Sequence, residues 1–207
     1  MKYKFYFRKS SFKKDKKNAN IFIQLIKKYK PKNFLEIGVL EGVTARNVCE
    51  LMNQYYGNSF KYIGVDLFGI DREKNNLNEH TPISYKFSNP LKYIYFNIIL
   101  QHHPNDIKGV RYLLKKFRSS IELHKGYSQK ILKKIDISKI NFCFLDGGHS
   151  YETVKSDLSI LIKRLPQGSQ ILIDDYNQES YGVKKAVDEI KNNFIHKIIG
   201  RFILIEL

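Results

Sequence analysis

Short apolar runs alternate along the chain with stretches of helical spacing. Residues 16–30 place Ile21, Ile23, Leu25 and Ile26 on one side and lysines on the other, which predicts an amphipathic helix. Pro31 ends it, because the residue before a proline disfavours helix. Phe34, Leu35 and Ile37 then form a run suited to a buried parallel strand. A helix is expected over 45–53 and a second strand over 62–67. Further strands are predicted at 121–125, 141–145 and 168–173, with helices at 129–135, 153–165 and 181–193. Residues 194–207 read as a closing hairpin turning at Gly200 and Arg201. The helix at 16–30 should cover one face of the sheet.

This rhythm breaks over residues 69–120, which are far more than a simple crossover needs. The segment holds Pro82, Pro90 and Pro104, several tyrosines, and His80, His102 and His103. Residues 91–100 suit a helix or a strand, and 110–117 look helical. An insertion at the carboxyl ends of the strands would sit over a ligand, so 69–120 is read as a substrate lid. The competing reading is a decoration that packs or oligomerises. Adjacent His102 and His103 lack the spaced partners of a metal site.

The chemistry gathers at strand ends. Gly38 and Gly42 follow the first strand four residues apart, and Thr44 offers a hydroxyl near the next helix. A helix N-terminus there would point free N–H groups at a ligand. The spacing departs from the G-x-G-x-x-G dinucleotide fingerprint. Asp66 ends the second strand, where a doubly wound fold puts the carboxylate that takes ribose hydroxyls. The fourth strand leads into Asp146, Gly147, Gly148 and His149, and the fifth ends in Asp174 and Asp175. Three carboxylates converging on one crevice raise each other's pKa unless a counter-charge is present. Mg²⁺ or Mn²⁺ on Asp146, Asp174 and Asp175 would supply it, and could acidify an acceptor hydroxyl. His149 is the candidate base. The plainer alternative has Asp146 binding the amino end of a cofactor, Asp175 capping a turn and His149 orienting a loop.

The motifs E-I-G-V-L-E-G, D-G-G-H-S-Y-E, I-D-D-Y and G-V-K-K-A-V-D-E together resemble the class I S-adenosylmethionine-dependent methyltransferases. The nearest branch is the small-molecule and sugar O-methyltransferases of macrolide and cephalosporin-pathway type. The resemblance covers about residues 33–67 and 121–190. It implies an α/β Rossmann-like domain with a mostly parallel seven-stranded sheet. It also implies that Glu36, Gly38 and Gly42 border the methionine part of the cofactor, with Val39 and Thr44 as further cofactor contacts. By the same resemblance Asp66 binds the ribose and Tyr127 and Ser128 meet the adenine, with Leu67, Asp146 and Gly147 as further cofactor contacts. Several metal-dependent sugar enzymes of this branch carry an acid just after the D-G pair, where this chain has Gly148.

Composition narrows the partners. The 207 residues are 43% hydrophobic and 14% aromatic, enough for one domain with a proper core over 1–207. No apolar run reaches membrane-spanning length, and no apolar stretch follows the charged N-terminus as a secretory signal would require. Cys49 and Cys143 lie inside apolar elements, as buried thiols of a reducing compartment do, so a cytoplasmic protein is expected. The formal charge of +16 is concentrated in the basic region 1–32 but also spread over several helices. It suits a phosphorylated acceptor, nucleic acid or anionic lipid, but a lysine-, asparagine- and isoleucine-rich composition explains it more simply. Amino-methylating DNA enzymes carry N/D-P-P-Y/F where this chain has D-G-G-H, and neither cysteine follows a proline. The activity that the resemblance implies is O-methylation of a small molecule or sugar. An RNA ribose methyltransferase and a non-catalytic cofactor-binding module are the alternatives, and a homo-oligomer is left open.

Overall fold

The computed structural model describes residues 8–69, 87–179 and 182–207. Its strands are β1 (Asn33–Ile37), β2 (Lys61–Asp66), β3 (Ile121–Lys125), β4 (Phe142–Leu145), β5 (Gln170–Ile173), β6 (Ile195–Ile199) and β7 (Phe202–Glu206). They form one sheet in the order β3-β2-β1-β4-β5-β7-β6. The first five are parallel, and β7 runs antiparallel to both β5 and β6. The strand order reverses beside β1, between β2 and β4, which opens a crevice at the carboxyl ends of these strands.

Strand alternation sorts the core into two chemistries. Phe34, Phe142, Phe144, Tyr62 and Phe202 point to one face, while Leu35, Ile37, Cys143, Leu145 and Ile171 point to the other. The aromatic face is covered by α1 (Lys16–Tyr29) and α2 (Val43–Tyr56), with Phe22 of α1 against Phe144 at 4.8 Å between ring centroids. The aliphatic face is covered by α6 (Tyr151–Arg164) and α7 (Val183–Asp188). As expected, α1 ends before Pro31, with Lys30 in the left-handed conformation. The residue 181 expected to open α7 lies outside the described residues. Both cysteines are buried and unpaired with each other, and burial pushes their thiols up.

Part of the expected lid belongs to the core instead. Residues 70–86 lie outside the described residues. From 87 the chain forms α3 (Pro90–Tyr93), continues as a π-helical stretch over Ile94–Ile99, and then forms α4 (Ile107–Leu113) and a 3₁₀ turn at Lys115–Phe117. Val110, Leu114 and Phe117 are fully buried in the aromatic-face core. The segment 107–117 therefore serves as the β2-to-β3 crossover, because its apolar spacing matches the sheet face left open between those strands. Replacing all of 69–120 by a short linker would open this core.

Candidate active site

The glycine turn after β1 is shaped by a close approach of two strands. Gly38 has φ +94°, and a Cβ there would lie 1.9 Å from the Asp146 carbonyl oxygen. Only glycine lets the ends of β1 and β4 meet at this distance. Its N–H donates to Val65 O at 2.9 Å, and Asp146 N–H donates to Ile37 O at 2.8 Å, so the ends of β2, β1 and β4 are stitched together. Leu40 also takes a left-handed backbone, φ 53°, which turns its N–H toward β2. There it donates to Asp66 Oδ2 at 3.0 Å, while Phe68 N–H donates to Asp66 Oδ1 at 2.7 Å. Asp66 thus fixes the turn as well as presenting a carboxylate to the crevice.

Over these strand ends lies a cavity of about 220 Å³. Gly38, Asp66, Leu67, Tyr127, Ser128, Asp146, Gly147, His149 and Asp175 line it. Leu40, Gly126, Gly148, Thr153 and Ser11 join them. Ser11 comes from an N-terminal arm held across the molecule by buried Arg8, whose guanidinium donates to the carbonyls of Glu41, Pro104 and Gly109. Sequence reasoning missed this arm, since nothing local marks a residue that reaches a site only through tertiary packing. Leu40 was missed for a simpler reason. Its positive φ, unusual for leucine, hands the cavity position expected for Val39 to its neighbour.

Four expected cofactor contacts lie outside the cavity. Val39 is buried and packs toward Gly64. Gly42 is the left-handed N-cap of α2, and its Cα faces the Val110 side chain. Thr44 is buried within α2. Glu36 sits on the aromatic face of β1, where Tyr62 Oη donates to its Oε2 at 2.6 Å. Burial pushes the Glu36 carboxyl up to about 8. A raised folded-state pKa contributes stability at low pH that is lost as pH rises through about 8. Glu36→Gln keeps an acceptor for Tyr62 and should therefore raise the thermal midpoint at pH 8 but hardly at pH 5. The gain should be about 2–4 °C for each kcal/mol recovered, read by thermal denaturation at the two pH values.

The two consecutive aspartates after β5 part company. Asp174 is buried and forms an ion pair with Arg201 from the β6–β7 turn. Burial pushes its carboxyl up to about 6, against the pull of that guanidinium. Arg201 also reaches Asp15 at 3.7 Å and lies over the Phe12 ring at 4.9 Å. Asp174 is thus tied to the fold through Arg201, and the donor atoms that come within 4.8 Å of one another belong to Asp146, His149 and Asp175. Arg201→Met should cost about 3–5 kcal/mol by leaving a buried carboxylate without its counter-charge. That cost should be larger at pH 8 than at pH 5, because the folded protein would then hold its proton more tightly than the unfolded chain. Urea denaturation at both pH values measures it.

Asp175 takes the opposite course. Its backbone adopts φ 55°, a left-handed conformation that aspartate tolerates better than most residues, and this swings the carboxylate into the cavity. Asp175 Oδ2 lies 3.3 Å from His149 Nε2. Asp146, His149 and Asp175 each offer an atom within 4.8 Å of the others. Burial, then the charges of Asp174 and Asp175, hold the Asp146 carboxyl well above the usual carboxylate range. Two carboxylates and an imidazole form a donor set that fits a divalent cation.

On the far side of the cavity, Tyr127 opens α5 (Ser128–Ile131), and its buried hydroxyl has no hydrogen-bond partner among the described residues. A buried, unsatisfied hydroxyl on a cavity wall fits a ligand that supplies the partner. Ser128 Oγ donates to Asp157 Oδ2 at 2.8 Å, so its hydroxyl ties α5 to α6 rather than capping α5.

Residues 35–176, more than half of the chain, match a family described as a methyltransferase domain. No curated protein gives a significant match. Among solved structures, CalS11, a TDP-rhamnose 3′-O-methyltransferase of calicheamicin biosynthesis, is similar with a TM-score of 0.60 and 15% identity. That match covers 93% of this chain and 80% of that one. The O-methyltransferase NovP has a TM-score of 0.57 and 17% identity over 91% of this chain and 77% of its own. TomG from Streptomyces achromogenes, an O-methyltransferase of tomaymycin synthesis solved with S-adenosylmethionine, has a TM-score of 0.57 and 12% identity. It covers 92% of this chain and 79% of its own. At such identities the likeness is one of fold. The crevice at the strand-order reversal and the family match agree: the chain belongs to the methyltransferase-domain family, with the class I fold of S-adenosylmethionine-dependent methyltransferases.

Proposed function

We propose that the enzyme transfers the methyl group of S-adenosylmethionine to a hydroxyl of a small-molecule or sugar acceptor. The observation that carries this reading is the convergence of Asp146, His149 and Asp175 on the rim of the cavity, beside the glycine turn. Asp66 would take the ribose hydroxyls, the Tyr127 hydroxyl would meet the adenine end, and the turn at Gly38–Leu40 would border the methionine part. The neighbours NovP, CalS11 and TomG are named as O-methyltransferases, and CalS11 acts on a TDP-linked sugar, which supports the acceptor class.

Transfer forms an acceptor O–C bond and breaks the sulfonium C–S bond, whose electron pair stays on sulfur. The acceptor's proton must leave to a base. Mg²⁺ or Mn²⁺ held by Asp146, Asp175 and His149 would lower the acceptor hydroxyl's pKa, and with His149 as a ligand the proton would pass to water. The carboxylates of Asp146 and Asp175 would fix the acceptor oxygen in line with the methyl group, which supplies alignment. In a metal-free variant of the same reading, Asp175 orients the imidazole and steadies its charge through Nε2, and His149 takes the proton at its other ring nitrogen, Nδ1. The 3.3 Å contact between them favours that variant.

A transfer assay with a panel of sugars and phenols, run with excess EDTA and with Mg²⁺ or Mn²⁺ restored, tests both. Loss of the methyl ether product on chelation, with recovery on metal addition, supports the cation. Full activity in EDTA leaves His149 as the base. Methyl transfer only to RNA would overturn the acceptor class.

A further inference from the structure

The surface over 90–99 reverses the pattern of a solvent-facing helix. Within α3 and the π-helical stretch after it, Phe96 is the one side chain that is buried. Leu91, Tyr93, Ile94, Ile98 and Ile99 are instead 64%, 54%, 43%, 60% and 65% exposed. Leu91, Ile94 and Ile98 recur at a spacing that places them along one side of the helix. An apolar cluster of this size on a soluble surface marks an interaction site.

Beside it lies a second cavity, of about 260 Å³, lined by Arg8, Arg46, Tyr95, Tyr112, Lys115 and Lys116. Arg46 is paired with Glu50 at 2.8 Å. Lys115 and Lys116 lie over the rings of Tyr112 and Phe117, at 4.6 and 5.5 Å, and make no ion pair among the described residues. Residues 87–120 carry six lysines and arginines against one acid, Asp106. Of these, Lys115 and Lys116 lie at this cavity, while Arg111 and Arg118 line another one with Glu122.

We infer that this face docks on an anionic lipid surface, with the exposed aliphatic side chains of 91–99 entering the headgroup boundary and the Lys115–Lys116 cavity meeting lipid phosphates. The combination of isoleucine and leucine, flanking lysines and interfacial tyrosines is what such a boundary selects. A nucleic acid would use the lysines but leave the aliphatic side chains in water. A second copy of this chain would cover them but set two basic rims against each other. No helix among the described residues is long and apolar enough to cross a membrane, so the contact is one that lies on the surface. The inference is independent of the acceptor proposed above.

Co-sedimentation of the full chain with vesicles tests it. Binding is expected to vesicles of phosphatidylcholine with phosphatidylglycerol, and not to phosphatidylcholine alone. The pair Lys115→Glu and Lys116→Glu should lower partitioning by about fivefold or more for each lysine. Ile94→Asp with Ile98→Asp should also lower it, with an unchanged circular dichroism spectrum and thermal midpoint showing that the fold is intact. Failure to bind the anionic vesicles, or equal binding to both kinds, would overturn the inference. So would a dimer in sedimentation velocity that Ile98→Asp dissolves while vesicle binding stays unchanged, since the face would then join two copies.

Discussion

Asp175→Asn should cut methyl transfer by about 10²–10⁴-fold while leaving cofactor affinity within a few-fold. Asparagine has nearly the same size and tolerates the left-handed backbone at φ 55°, so the loss would belong to the charge and not to the fold. The carboxylate touches His149 at 3.3 Å and shares the cavity rim with Asp146. On the proposed mechanism it would hold a cation or orient an imidazole, and in either case removing its charge would disable the group that readies the acceptor oxygen. Its neighbour supplies the control. Asp174→Asn should lower stability through the Arg201 pair and change turnover far less. Steady-state kinetics and urea denaturation on the two variants separate these roles. Equal losses of turnover in both would return Asp174 to the acceptor site.

Asp66→Ala should weaken S-adenosylhomocysteine binding by about 10–100-fold, through loss of charge-assisted hydrogen bonds. The effect has two sources. On the proposed binding mode the carboxylate would take ribose hydroxyls, and it also accepts from the main chain of Leu40 at 3.0 Å and Phe68 at 2.7 Å. Without it the turn at 38–40 loses its tie to β2, so the methionine side of the cavity should loosen as well. Calorimetry should show the loss. Near-native affinity in the variant would mean that the ribose is held elsewhere.

The sheet was legible because parallel strands buried on both faces read as continuous apolar runs, and those runs end at β1, β2, β4 and β5 close to where expected. Gly38 and Asp66 were legible because a backbone approach and a strand-end acid each leave a fixed residue type at a fixed place. The divergence of Asp174 and Asp175 was not. Identical neighbouring side chains are told apart only by the direction of the backbone after β5 and by Arg201, which arrives from a hairpin late in the chain. The segment 107–117 misled for a related reason. Its helical spacing was visible, but which sheet face lay open to receive Val110, Leu114 and Phe117 is a property of the assembled fold. Glu36 illustrates a third kind of miss, since a strand acid reads as a ligand until Tyr62 on the neighbouring strand is seen to occupy it.

A crystal of the full chain soaked with S-adenosylhomocysteine tests the central claim most directly, because the claim fixes where the transferred methyl must sit. The adenosine should lie between Asp66 and Tyr127, with the sulfur facing the cluster of Asp146, His149 and Asp175. Density in another cavity, or a sulfur turned away from that cluster, would contradict it.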